Sequence, residues 1–266
     1  MKRIRKRYKE FWAGLALIQL KEALAESAEL AEVYQKESQF IRKVLQLSPS
    51  DKVLDLGCGT GEHCFALTEQ GIDATGIDIA QVLVDHASER SREAGLSATF
   101  LSADMRTFRP ETQFDAVFTS SGTFGLYESD ADNRSVLRTI RAVLADGGRF
   151  LIGPSGPALL GQRSYSEKDW YFVGDGCFLR ESAWDQSTAL FRESFLFIDQ
   201  DGTVIEFGGF DDASDGQYSR VYSLEQLQEM IAEVGLRFDA AYGSFELPPK
   251  PHGADTPRLL IVGHKA

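Results

Sequence analysis

The sequence predicts an α/β protein: a mostly parallel sheet with helices on both faces, a helical N-terminal segment before it, and an antiparallel β insertion late in the chain. Three observations carry that prediction. From residue 52 onward, short apolar runs alternate with helical patterns of roughly ten to fifteen residues, the signature of βαβ units. The first of those runs, Val53-Leu54-Asp55-Leu56, leads into three glycines within five residues. Between residues 155 and 220 no helical stretch separates the apolar runs, so that part is expected to pair antiparallel.

Taken in order, residues 10–47 read as helical throughout. Phe11, Leu15 and Ile18 fall at i, i+4, i+7. Leu24, Leu30, Val33, Tyr34, Ile41, Val44 and Leu45 mostly keep three-to-four spacing until Ser48-Pro49 stops it. Glu26-Ser27 is a point where the stretch can divide into two helices. Lys52–Leu56 is the first strand, and Glu62–Gln70 a helix closed by Gly71. Ala74–Ile79 is the second strand, Gln81–Ala94 a helix closed by Gly95, and Ala98–Leu101 the third strand. Phe114–Thr119 is the fourth, Ala131–Leu144 a helix, and Arg149–Ile152 the fifth after the turn Asp146-Gly147-Gly148.

In the insertion, Phe178–Ser182 and Leu190–Ile198 read as strands, and Asp199-Gln200-Asp201-Gly202 turns a hairpin into Thr203–Phe207. Ser223-Leu224-Glu225-Gln226 is a capping box that opens a helix to Val234-Gly235. Strands around Leu236–Tyr242 and Arg258–Val262 complete the chain. The organisation is therefore an N-terminal helical segment over 1–48 that forms part of a lid, a ligand-binding core over 49–154, a β insertion over 155–220 that caps the substrate, and a return to the core over 221–266.

Composition narrows the function. At 43% hydrophobic and 26% charged, the chain is an ordinary globular one, not disordered or fibrous. No run of about eighteen apolar residues is present, so no membrane-spanning helix is expected. The formal net charge is −12, yet MKRIRKRYK at the start holds six basic residues and no acid, which leaves −18 on the rest. An acidic body argues against an enzyme that tracks nucleic acid through its phosphates, and the basic terminus reads as a solvated, frayed end. Cys58, Cys64 and Cys177 have no metal-ligand spacing and fit a reducing compartment, so a cytoplasmic protein without a metal site is expected. FWAGLALI superficially mimics a secretory signal, but it spans only eight residues and Lys21-Glu22 interrupts the expected cleavage site.

The segment Gly57-Cys58-Gly59-Thr60-Gly61 follows a buried strand, where closely spaced glycines let a ligand lie directly on backbone. Its spacing is G-x-G-x-G. The third glycine of a dinucleotide fingerprint would stand at Glu62, and a carboxylate there would repel a pyrophosphate at a helix N-terminus. No Gly-Lys-Ser/Thr follows, which excludes a nucleotide P-loop. The ligand expected is not a phosphate.

VLDLGCGTG followed by TGIDIA resembles the first two cofactor motifs of class I S-adenosylmethionine-dependent methyltransferases. The likeness continues through Ser102-Ala103-Asp104-Met105, FDAVFTSSGTFGLY, VLADGGRFLI, RVYSLEQLQEMIAEVGL and TPRLLIVGHKA, anchoring roughly residues 40–154 and 219–266. The resemblance implies a Rossmann-like seven-stranded sheet, S-adenosylmethionine as methyl donor with S-adenosylhomocysteine as product, and a substrate cap of variable structure. It also implies roles. Asp55 helps receive the methionine ammonium, and Gly57, Cys58, Gly59 and Gly61 lay the methionine and ribose against backbone. Asp78, with Ile79 beside it, chelates the ribose hydroxyls. Asp104, next to Met105, accepts from the adenine amino group, with a simple helix cap as its alternative. Thr119 and Ser120 end the fourth strand over the sulfonium, acting through their carbonyls.

Within that family, the fourth strand lacks the Asn/Asp-Pro-Pro-Tyr/Phe motif of planar-amine methylation, and no Cys-Pro nucleophile for cytosine C5 appears. A radical-SAM cysteine cluster is also absent. What remains resembles the small-molecule branch, through Gly122-Thr123-Phe124-Gly125, Arg220-x-Tyr222 and Pro257-Arg258-Leu259. Tyr127 and Glu128 are the candidate catalytic bases. Phe124, Arg220, Tyr222 and His252 are candidate substrate contacts, with a hinge salt bridge and a helix staple as the equal alternative for Arg220 and Tyr222. His63 and His86 read as surface residues. Trp170, Tyr171, Phe172, Phe178, Trp184, Phe191, Phe195 and Phe197 should mostly pack the lid's own core, with one or two facing the acceptor.

The expected reaction is methyl transfer to nitrogen or oxygen of a small, neutral or cationic acceptor in a closed pocket. Nitrogen is favoured because no His–Asp or Lys pair stands out as a dedicated base. Two other readings stay open at this point: an RNA or protein methyltransferase using the basic N-terminus, and a non-catalytic S-adenosylmethionine sensor. Neither a membrane nor a nucleic acid is an expected partner, and oligomeric state is undetermined by sequence.

Overall fold

The computed structural model describes residues 3–6, 15–16, 19–20, 28–154, 156, 160–173, 176–207, 217–253, 256 and 258–266. Five strands form the parallel part of the main sheet: β2 (Lys52–Leu56), β3 (Asp73–Asp78), β4 (Thr99–Ser102), β5 (Phe114–Phe124) and β6 (Leu144–Pro154). Two further strands, β12 (Leu236–Tyr242) and β13 (Leu260–Lys265), close one edge antiparallel. The order is β12-β13-β6-β5-β2-β3-β4. Strand order reverses between β2 and β5, and at such a switch point a crevice opens beyond the carboxyl ends of the strands.

Five helices cover the sheet: α1 (Ala28–Val44), α2 (Glu62–Thr68), α3 (Gln81–Glu93), α4 (Asp130–Val143) and α5 (Leu224–Glu233). Successive residues of β2 point to opposite faces, so both sides of that strand are buried. Leu54 and Leu56 pack with Val117, Phe150 and the Val136, Leu137 and Ile140 stripe of α4. Val53 instead joins Phe118, Leu151 and the Phe40, Ile41 and Val44 stripe of α1. Arg42 and Lys43 in the last turn of α1 complement the negative end of its dipole.

The capping box is present at α5: Ser223 Oγ accepts from Gln226 N, and Gln226 Oε1 accepts from Ser223 N at 2.8 Å. Ser223→Ala is therefore expected to cost about 1 kcal/mol. A drop of about 2–4 °C in thermal midpoint would register it.

The second sheet has the order β1-β10-β9-β8-β7, with β11 also on β9. Its strands are β1 (Arg3–Lys6), β7 (Tyr165–Val173), β8 (Gly176–Asp185), β9 (Leu190–Ile198), β10 (Val204–Phe207) and β11 (Gln217–Arg220). The antiparallel insertion is thus a sheet of its own.

Several details differ from the sequence reading. The expected frayed basic terminus is a strand at Arg3–Lys6, parallel to β10, because the outer edge of β10 offers unpaired backbone groups. Of the stretch expected as helix, α1 and residues 15–16 and 19–20 are helical. Phe11, Ile18 and the Glu26-Ser27 break lie outside the described residues. β5 continues five residues beyond Thr119, to Phe124. β6 starts at Leu144, which pairs with Phe114 across a register shift that absorbs the Asp146-Gly147-Gly148 turn. Among the described residues, no helix is long and apolar enough to cross a membrane.

Candidate functional site

The carboxyl ends of β2, β3, β4 and β5 border a cleft at the switch point of the sheet. Its walls are Gly57, Ile77, Asp78, Ile79, Ala103, Asp104, Met105, Thr123, Leu126 and Tyr127. The glycine loop turns back on the sheet: Gly57 N and Cys58 N both donate to Ile77 O, at 2.8 and 2.9 Å. That turn needs positive φ at Gly57, Gly59 and Gly61 (+82°, +55° and +89°), a region that disfavours side chains. A Cβ at Gly57 would lie 2.6 Å from Thr123 Cγ2, and one at Gly61 would lie 2.7 Å from the Phe100 ring. At Gly59 a Cβ would meet nothing within 4 Å, so the loop's middle glycine borders open space.

Two carboxylates flank the loop. Asp78 at the end of β3 accepts from Gly59 N (3.0 Å) and from Ala80 N (2.9 Å), which fixes its orientation. Burial nevertheless pushes its pKa up. Asp55 in β2 is 2% exposed, and its Oδ1 has no partner among the described residues. Burial raises the Asp55 carboxyl to about 7, against the pull of the nearby His63 ring. A buried, orphaned acceptor beside a glycine cradle fits a ligand that brings a positively charged donor.

Asp104, after β4, does two things. Its Oδ1 accepts from Arg106 N (2.8 Å), capping a turn, and its carboxylate pairs with the Arg106 guanidinium at 2.6 Å. Burial works to raise its pKa, but the Arg106 hydrogen bonds prevail and hold it below the usual carboxylate range. Arg106 also reaches Asp132 (3.2 Å) and lies 4.6 Å over the Tyr127 ring, so one cation ties two walls of the site, Asp104 and Tyr127, to α4. Arg106 escaped the sequence reading, although its place two residues after Asp104 was the available signal.

Thr119 and Ser120 are buried near the end of β5. Ser120 O accepts from Thr123 Oγ1 at 2.7 Å, and Ser120 Oγ lies 3.4 Å from His63 Nδ1. His63 corrects its expected surface position. It is buried, with Nε2 2.9 Å from Glu37 of α1, edge-on to Tyr34 and Phe118. The N-terminal segment is thereby locked to the helix after the glycine loop.

The remaining candidates divide. Tyr127 lines the cleft, whereas Glu128 is exposed and contributes only its carbonyl, to Arg220 Nε at 2.9 Å. Phe124 is fully buried against Tyr222, a core position away from any substrate. Arg220 pairs with Asp130 (3.1 Å) and donates to Thr188 O (3.1 Å), and Tyr222 OH donates to Asp130 (2.8 Å) while accepting from Asn133 (2.9 Å). Burial and the Asp130 hydrogen bond push the Tyr222 phenol well up. Arg220 thus ties the turn at Thr188 to α4, and Tyr222 holds its phenol on α4; neither is among the cleft's walls. His252 is held in the C-terminal loop, with Nδ1 2.9 Å from Thr256 Oγ1 and from Arg258 O, and is not among the cleft's walls. Of the lid aromatics, Phe178, Trp184, Phe195 and Phe197 are buried, while Trp170, Tyr171 and Phe172 are exposed. Among the described residues, no group of three or more His, Cys, Asp or Glu could hold a metal ion.

Known proteins similar to this chain include several methyltransferases. A family model described as a methyltransferase domain matches residues 53–148, from β2 through the middle of β6. A glycine/sarcosine N-methyltransferase from Aphanothece halophytica is 25% identical over 213 residues, covering 79% of this chain and 75% of its own. Among solved structures, an S-adenosylmethionine-dependent methyltransferase from Clostridium acetobutylicum superposes with a TM-score of 0.75, covering 96% of this chain and 99% of its own at 18% identity. An amino pentose methyltransferase from Micromonospora echinaspora, solved with S-adenosylmethionine bound, gives 0.62 at 21% identity, covering 88% of this chain and 91% of its own.

Proposed function

We propose that this chain, a class I S-adenosylmethionine-dependent methyltransferase, methylates a nitrogen of a small molecule enclosed between the glycine-loop cleft and the second sheet. The observation that supports the reading is the buried Asp55 carboxyl, whose Oδ1 has no partner among the described residues, near the end of the strand that leads into the glycine loop, next to a cleft walled by Asp78 and Asp104. S-adenosylmethionine supplies a methyl group on a positively charged sulfur that loses its charge as the methyl departs. The chain's own residues bind and position. Asp55 faces the methionine ammonium, Asp78 takes the ribose hydroxyls, and Asp104 accepts from the adenine amino group. Ile79, Met105 and Tyr127 supply apolar wall, and a closed lid excludes the water that would stabilise separated charge. A neutral amine needs no obligatory base, and Tyr127 is the candidate the cleft retains for drawing off a proton.

The acidic body favours cationic or neutral acceptors over polyanions. Glycine and sarcosine as amine acceptors of the Aphanothece relative support nitrogen over oxygen. Transfer of labelled methyl to panels of amines, phenols and RNA tests the reading. Amine labelling is expected, and labelling confined to phenols or RNA sinks it.

A pH dependence follows from Asp55. In the free protein its carboxyl holds a proton up to about 7, whereas a cationic partner favours the ionised form. Cofactor binding then releases a proton, so affinity should rise as pH rises between about 5 and 7. Calorimetry across that window should show the rise in wild type and a flat profile in Asp55→Asn.

A further inference from the structure

The second sheet carries a polar row that neither the cofactor cleft nor the lid's own core uses. Strand register sets Glu167 of β7, Ser182 of β8, Glu193 of β9 and Gln217 of β11 side by side on one face. On that same face Trp184 and Phe191 form one neighbouring pair, and Phe178 and Phe197 form another farther along the strands. A face that alternates rings with polar groups is suited to a molecule with an apolar body and a polar head.

This face is turned toward the cofactor cleft. Gln217 Nε2 donates to the carbonyl of Leu126 at 2.8 Å, and Leu126 is a wall of the cleft. Leu15 packs on the Phe178, Phe195 and Phe197 cluster, and the next residue, Ala16, packs on Ala80 and Leu83 at the start of α3. The inner face of the lid and the rim of the cofactor site are thus one residue apart along the chain.

Within the row, two groups lack what they need. Gln217 is 6% exposed, its Nε2 is committed to Leu126 O and Tyr218 O, and its Oε1 has no partner. Glu193 lies directly across from it in register, and its ion pair is Arg180 Nη1 at 3.9 Å. Arg180 is itself engaged by Asp169 at 2.5 Å. We propose that Glu193 and Gln217 together bind a cationic nitrogen of the methyl acceptor as an anchoring group, apart from the neutral nitrogen whose lone pair takes the methyl, which makes the acceptor a cationic amine with an apolar or ring-bearing body. The two groups offer only acceptor oxygens. An ammonium presents several N–H donors and a charge to match them, whereas an alcohol presents one donor and a carboxylate none. The Trp184–Phe191 pair, two residues along the strands on the same face, offers apolar surface for the body of the molecule. Burial pushes the Glu193 carboxyl up, with Arg180 opposing and Asp169 reinforcing that shift, so a cation at this position would also relieve its desolvation.

This inference rests on the methyltransferase reading above and names its acceptor class. In the test, the full chain is incubated with methyl-labelled S-adenosylmethionine and a small-metabolite extract, first split on a cation exchanger into retained and unretained pools. Label is expected in the retained pool. For the acceptor isolated from it, Glu193→Gln should raise KM at least tenfold while kcat moves less than about threefold. Gln217→Leu should shift KM the same way. An unaltered cofactor Kd in each variant, measured in the same samples, reports a folded chain. Label found only in the unretained pool, or an unchanged KM in Glu193→Gln, overturns the inference and leaves the transferase reading standing. Label in neither pool overturns both.

Discussion

Asp78→Ala should weaken S-adenosylmethionine binding by about 1–3 kcal/mol, or roughly 5- to 150-fold in Kd, the scale of losing hydrogen bonds to a charged group. Two losses combine. The carboxylate at the end of β3 would no longer take the ribose hydroxyls, and Gly59 N and Ala80 N would lose the acceptor that holds the glycine loop against the strand. Asp78→Asn sharpens the test. Its amide can accept from one of those two N–H groups and presents a donor to the other, so the loop should be disturbed even where side-chain volume is kept. Calorimetric titration with S-adenosylmethionine and S-adenosylhomocysteine measures both variants. An affinity within twofold of wild type would remove Asp78 from the cofactor site.

The second large effect concerns stability. Phe118→Ala should cost about 3–5 kcal/mol, the range for truncating a large buried aromatic. Phe118 is fully buried in β5, in register with Asp55 on one side and Leu151 on the other. It packs in the layer that holds Phe40, Val53 and Cys64, and stands edge-on to the buried His63 ring at 6.0 Å. A cavity there cannot collapse easily, because sheet strands on both sides fix its walls. Urea unfolding should show a lower midpoint with an unchanged slope. A loss under about 1 kcal/mol would mean that the layer beneath the cofactor loop repacks freely.

Where the sequence reading succeeded, the constraint was local. Three glycines in five residues after an apolar strand leave few backbone paths, and the buried strands β2 and β5 are short apolar runs that local pattern can find. The capping box at Ser223 and Gln226 is likewise complete within four residues. Failures arose where the partner lies far along the chain. His63 is one ring on a short helix, and the Glu37 that buries it sits 26 residues earlier on α1. β7 opens with Tyr165-Ser166-Glu167-Lys168-Asp169, which does not look like a strand until β8 is laid beside it. Arg220 and Tyr222 both meet Asp130, ninety and more residues away, a pairing that no local pattern signals. The glycine loop and the strand ends around it were therefore readable, where motif and backbone coincide. The second sheet was opaque, because strand register decides which of its side chains meet.

The pairing of Arg3–Lys6 with Val204–Phe207 joins parts of the chain separated by about two hundred residues. On the ribosome, those first residues emerge about 10–40 s ahead of the strand they need, at synthesis rates of roughly 5–20 residues per second. Until Val204–Phe207 is made, the amino terminus has no edge to join, and bringing so distant a pair together carries a loop-closure cost. The border strand of the cap is consequently seated well after its own synthesis. Any fusion joined close to Arg3 would load that seam, and this four-residue strand of the cap would be the first to feel it.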